Sequence, residues 1–133
     1  MRYLLPFAWL KKPLKLVSNR GHLRVDIGYD EFLAVIRKLL LGIEVNEAWY
    51  RAAYPDVDSA IRDGTYVDAK AHFVAEGYFE GRRPFPLEID EEYYLRENPD
   101  VRAGLESGKI ASVHEHFEKY GYEEGRMPAD FGT

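Results

Sequence analysis

A chain of 133 residues is long enough for one modest hydrophobic core, and the absence of cysteine excludes disulfides, thiolate catalysis and cysteine-based metal sites. The net charge of −5 hides a split: residues 1–25 carry six basic side chains (Arg2, Lys11, Lys12, Lys15, Arg20, Arg24) and no acid, leaving 12 basic against 23 acidic groups in the rest. A basic arm on an acidic body either folds back on that body or meets an anionic partner, and the acidic body argues against nucleic acid.

The apolar run Tyr3–Leu10 is interrupted by Pro6 and followed by Lys11-Lys12-Pro13, without the longer apolar stretch and small-residue cleavage site of a secretory signal. No stretch approaches the ~20 apolar residues of a membrane-spanning helix, so the sequence is read as cytoplasmic. Tyr3, Phe7 and Trp9 beside Lys11, Lys12 and Lys15 fit ordinary core filling first. They also fit a peripheral membrane foot formed by residues 1–15, or a surface for a protein partner, and Trp9, Lys11 and Lys12 are the binding candidates of the arm. Leu14–Val17 and His22–Ile27 alternate apolar and polar residues on either side of Ser18-Asn19-Arg20-Gly21, which predicts a β-hairpin with Leu23, Val25 and Ile27 on one side. A helix follows over 30–41, with Asp30 as N-cap and Phe32, Leu33, Ile36, Leu39 and Leu40 on one stripe.

From there the chain is written twice. Residues 47–84 and 91–128 align without a gap at an offset of 44, and 14 of the 38 positions are identical, among them Tyr50/Tyr94, Pro55/Pro99, Asp56/Asp100, His72/His116, Gly77/Gly121, Gly81/Gly125 and Arg82/Arg126. A fixed period of this length marks supersecondary units that bury their apolar faces jointly. The punctuation recurs too: Asn46 or Asp90 caps a first helix, and Pro55 or Pro99 ends it. Asp56 or Asp100 is read as the cap of a second helix that stops at Gly64 or Gly108, and Asp68 or Ser112 opens a third that runs to Gly77 or Gly121. The glycine pairs Gly77/Gly81 and Gly121/Gly125 are read as two positive-φ turns each.

Tyr94-Leu95-Arg96-Glu97-Asn98-Pro99-Asp100-Val101, followed by His116-Phe117 and Gly121-Tyr122-Glu123-Glu124-Gly125-Arg126-Met127-Pro128, resembles a short helical repeat of many bacterial proteins, often beside or within glycosyltransferases of surface-polysaccharide pathways. The match covers residues 46–128, about two-thirds of the chain, and the first copy departs from it with Arg51-Ala52-Ala53-Tyr54 ahead of Pro55. The resemblance implies an accessory or interaction role in polysaccharide production and brings no catalytic residues with it.

The residues with chemical potential have structural readings beside them. His72 and His116 suit partly buried imidazoles bonded to a backbone carbonyl or an acid of their own copy. His114-Glu115-His116 lacks metal-ligand spacing, because residues two apart on a helix point to opposite sides. Arg82 and Arg126 recur with Asp56 and Asp100, which suggests a planar bidentate pair in each copy; the other reading is an anion pocket for a sugar phosphate, as in a small enzyme or accessory subunit. No nucleophile elbow, Walker loop or dinucleotide fingerprint occurs, and no cofactor or metal is implied.

The expected fold is therefore mainly α. A basic arm with a β-hairpin (1–29) precedes a helical repeat domain (30–133), in which a capping helix (30–41) and two three-helix repeats of ~44 residues (46–84 and 90–128) stack. The expected function is a non-catalytic protein-interaction or adaptor module whose partner is another protein or a second copy forming a dimer.

Overall fold

The computed structural model describes residues 2–132; Met1 and Thr133, the ends of the expected arm and tail, lie outside the described residues. The protein is mainly helical with one two-stranded antiparallel hairpin. It divides into two compact units, Met1–Phe85 and Pro86–Thr133. The single core expected at this length is replaced by two separate buried clusters, one in each unit.

The first unit begins with a single helical turn, α1 (Phe7–Leu10), and the hairpin strands β1 (Lys15–Asn19) and β2 (His22–Asp26). Arg20 and Gly21, with φ of 51° and 78°, form the tight turn whose twist matches paired strands. Leu16 lies opposite Val25 and Ser18 opposite Leu23, while Lys15 meets Asp26 and Val17 meets Arg24. The alternation read from the sequence is thus present, yet every residue of both strands is exposed. Core filling by the arm is likewise overturned: Trp9 is 54 % exposed and Phe7 71 %, with Tyr3 and Leu4 also at the surface. An eight-residue run broken by Pro6 and followed by two lysines is too short to lay a continuous apolar face on a helix bundle.

Helix α2 (Tyr29–Leu40) carries the predicted stripe as far as Leu40, which is buried, whereas Phe32 remains exposed. Its N-cap is Gly28 rather than Asp30; Asp30 and Glu31 sit in the first turn, where carboxylates favour the unpaired N–H groups. Arg37 fixes the helix to the rest of the unit. Its guanidinium donates to the Ala75 carbonyl at 3.1 and 3.3 Å and lies 4.9 Å above the Phe79 ring.

Three further helices follow: α3 (Glu47–Ala53), α4 (Pro55–Arg62) and α5 (Ala69–His72), the last continuing into a π-helical turn over Phe73–Gly77. Asn46 accepts from the Trp49 N–H at 3.0 Å and Asp68 from the Ala71 N–H at 2.8 Å, as N-caps do. Asp56 does not cap α4. Pro55 takes the first helical position, where its missing N–H costs nothing, so Asp56 falls one residue inside the helix and its carboxylate is left for Arg82.

The second unit has the same order: α6 (Glu91–Glu97), α7 (Pro99–Glu106), α8 (Val113–His116) and a π-helical turn over Phe117–Gly121. Asp90 and Ser112 are its caps, while Pro99 again displaces Asp100 from that role. The carboxylate of Glu115 is turned to Lys119 at 2.5 Å.

A tyrosine lies fully buried at the centre of each unit. The Tyr50 hydroxyl shares a 2.8 Å hydrogen bond with His72 Nδ1, and Tyr94 shares one of 2.9 Å with His116 Nδ1. Val57, Ala69 and Phe73 enclose Tyr50, with Leu40 of α2 added; Val101, Val113 and Phe117 enclose Tyr94. The hydroxyl leaves no room opposite. A Cβ on Gly77 would come within 2.2 Å of the Tyr50 oxygen, and one on Gly121 within 2.3 Å of the Tyr94 oxygen. These two glycines therefore serve close approach, not positive φ. Only the second of each pair, Gly81 (φ 81°) and Gly125 (φ 74°), takes the left-handed conformation that turns the chain back. The returning chain ends on its own beginning: Asn46 N–H donates to the Pro84 carbonyl and Asp90 N–H to the Pro128 carbonyl, both at 2.9 Å.

The crowding makes a double-mutant prediction. Gly77→Ala alone is expected to cost about 1–3 kcal/mol by overpacking, and Tyr50→Phe alone about 1–3 kcal/mol by leaving a buried imidazole nitrogen unpaired. The double variant should cost at least about 1 kcal/mol less than their sum, because removal of the hydroxyl clears the clash. Urea denaturation of the four proteins measures the difference; strict additivity would show that hydroxyl and glycine do not meet.

Candidate functional site

Two features stand beside the buried tyrosines, of which the first recurs in both units. The first is a clasp between the end of each unit's closing loop and the first turn of α4 or α7. Arg82 donates to Asp56 through both terminal nitrogens, at 2.9 and 2.7 Å, and its guanidinium lies 4.9 Å above the Tyr54 ring. Arg126 makes the same two-pronged contact with Asp100 at 2.9 and 2.8 Å, adding Asn98 Oδ1 at 2.8 Å and Glu124 at 2.7 Å. The planar fork matches the carboxylate, which is the reason arginine rather than lysine suits this place.

The electrostatics follow from these partners. Hydrogen bonds from the two guanidinium groups hold the Asp56 and Asp100 carboxyls down to about 2. Both arginines are pushed up in turn, chiefly by the same carboxylates. An external anion at either arginine would have to displace an internal carboxylate already bound at two points. The arginines are thus poor anchors for the sugar-phosphate pocket that was the alternative reading.

The second feature gathers around His72. Burial pushes the Tyr50 and Tyr94 phenols up, so both stay protonated. His72 is pushed down, first by burial and then by the positive Arg82, so its imidazole is neutral at physiological pH. Its partner is the tyrosine hydroxyl, in place of the carbonyl or acid expected from sequence. Its other nitrogen, Nε2, faces Glu80 at 3.7 Å and Glu76 at 3.9 Å. The Tyr66 ring closes the other side, edge-on at 4.8 Å. The spacing of His72, Glu76 and Glu80, four residues apart each time with Glu80 in the turn just past Gly77, is the signal in the sequence that finds this trio. The second unit has His116 and Glu124 but Tyr120 at the middle place.

The arm candidates lie elsewhere in the first unit. Lys12 Nζ sits 3.5 Å from the centre of the Trp9 ring, and Lys11 Nζ lies 5.9 Å from that of Phe7, so aromatic and basic groups alternate on an exposed surface. The segment is tied down at its start, where Arg2 N–H donates to the Gly42 carbonyl at 3.0 Å and the Arg2 side chain pairs with Glu44. The contacts of Arg82 (Asp56, Glu80, Tyr54) all belong to α4, the closing loop and the residue before α4, so Arg82 and the arm residues build no common site.

Compared with protein-family models, curated proteins and solved structures, the chain finds no match in any of the three.

The clasp predicts a pH dependence with a definite sign. A carboxyl whose pKa falls on folding stabilises the fold above its unfolded value near 3.8, and that contribution disappears as pH drops through about 2. Because Asp100 is largely exposed, its share is screened to roughly 0.5–1 kcal/mol. Asp100→Asn should be less stable than the parent at pH 7, with most of the gap lost as pH falls from about 4 to 2, as followed by urea denaturation across that range. A constant gap at all pH values would mean that the charge of Asp100 is not what holds the clasp.

Proposed function

We propose that the protein is a non-catalytic interaction module in which the basic arm binds a second copy of the same chain, giving a dimer. The observation that carries this reading is the arm itself. Both strands of a well-formed hairpin are exposed along their whole length, and Leu16 and Leu23, on one face of it, are 62 % and 74 % exposed. An isolated two-stranded hairpin is marginal in water, and its two open edges are templates for further pairing. Charge selects the partner. Six cations on the arm complement the acidic excess of the remaining chain, and a second copy supplies both that excess and an identical hairpin edge.

The two 38-residue segments act in this reading as copies of one helical repeat that present the arm. The likeness to a bacterial repeat that accompanies polysaccharide glycosyltransferases supports an accessory place beside such enzymes. Among the described residues no helix is long and apolar enough to cross a membrane. The reading without catalysis is supported by how the recurrent polar residues are engaged: the two arginines by aspartates and the two histidines by tyrosines.

Light scattering coupled to size exclusion is expected to give twice the 15.4 kDa chain mass at low salt, shifting toward the single mass as salt rises. Leu23→Asp on the exposed face, or Lys11→Glu with Lys12→Glu, should yield a monomer with unchanged helical circular dichroism. A parent protein that stays monomeric at high concentration and low salt, or that sediments with anionic vesicles as a monomer, ends this reading.

A further inference from the structure

The trio at the end of α5 is a different matter from the arm. His72 Nε2 and one carboxylate oxygen each of Glu76 and Glu80 lie within 4.8 Å of one another. We propose that these three side chains form a binding site for a divalent first-row transition ion, with zinc the best match.

The donor set points that way. One imidazole nitrogen with two carboxylates suits zinc and its neighbours, whereas calcium and magnesium prefer oxygen alone. The geometry agrees with the donor set. Metal-bound histidine needs its second nitrogen held by an outer partner, and the buried Tyr50 hydroxyl holds Nδ1 at 2.8 Å, which fixes the ring and aims Nε2 at the two carboxylates. The imidazole is 6 % exposed, while the Glu76 and Glu80 side chains are 58 % and 44 % exposed. The rigid ligand is thus preset, and the two mobile ones can draw in to the roughly 3–3.5 Å separations implied by zinc–ligand bonds of about 2.0–2.2 Å.

The backbone contributes through the π-helical turn. Its wider spacing, seen in the bond from Tyr78 N–H to the Phe73 carbonyl, keeps positions 72, 76 and 80 on one side. Arg82 approaches Glu80 at 3.4 Å, but its charge is already met by Asp56, so the surroundings remain net negative. Three protein ligands leave a fourth position for water or for a donor from a bound molecule. Among the described residues there is one such site: in the second unit the exposed Tyr120 stands where Glu76 stands in the first and lays its ring 5.8 Å from that of His116, and Glu124 is bound by Arg126 Nε at 2.7 Å.

Titration calorimetry of the full chain with Zn2+ alone is expected to give one ion per chain, with a melting temperature that rises with Zn2+ concentration. Glu76→Gln and Glu80→Gln, both surface changes, should each weaken binding about tenfold or more while leaving the ion-free melting temperature near that of the parent. Failure to bind Zn2+, binding that the two glutamine variants leave unchanged, or a Ca2+ affinity equal to that for Zn2+ would each overturn the proposal.

Discussion

A phenol buried without exposure at the centre of each unit sets the terms for everything around it. Tyr50 and Tyr94 bring large apolar rings to clusters of only a few side chains, but each also brings a hydroxyl that water cannot reach. A buried hydroxyl left unpaired would cost on the order of 1–3 kcal/mol. Histidine at 72 or 116 meets that need, and it must come from a helix that passes close by. The approach is close enough to exclude any side chain at 77 or 121, so three of the recurrent identities express one contact. The π-helical turns stand between the histidine and the glycine, where a wider turn relieves the crowding.

Closure of each unit on itself follows from the next layer of contacts. Once the third helix has passed the tyrosine, a left-handed glycine reverses the chain, and the arginine after it reaches back to the aspartate in the first turn of α4 or α7. The proline carbonyl two residues on then accepts from the N–H of the residue that opens α3 or α6. Helices of seven or eight residues are too short to persist alone, so their stability depends on this enclosure and on their caps. Two loops closed in this manner account for two separate clusters where one shared core was expected.

The first unit carries additions that the second lacks. Helix α2 lends Leu40 to the tyrosine cluster and is held by Arg37, whose guanidinium meets both the Ala75 carbonyl and the Phe79 ring. The arm lends nothing buried. Glutamate at 76, where the other copy has Tyr120, gives the first unit an acidic pair beside its buried histidine. The Glu76/Tyr120 difference lies outside the tyrosine–histidine–glycine contact that both units keep.

The sequence by itself determined the internal identities at an offset of 44, the short helices, the caps at Asn46, Asp68, Asp90 and Ser112, the hairpin and the pairing of Arg82 with Asp56, because each depends on residues close in the chain or on identities that recur at a fixed offset. It misassigned Asp56 and Asp100 as caps, since only the helix start at Pro55 or Pro99 decides which side chain remains free. Tertiary structure alone decided that the histidines answer to tyrosines 22 residues away, and that Gly77 and Gly121 are required by a neighbour's oxygen and not by their own φ. It also decided that Trp9 and the hairpin stay outside the core. Alternation and aromatic content say which face is apolar; whether anything covers that face is settled only by what else the chain brings to it.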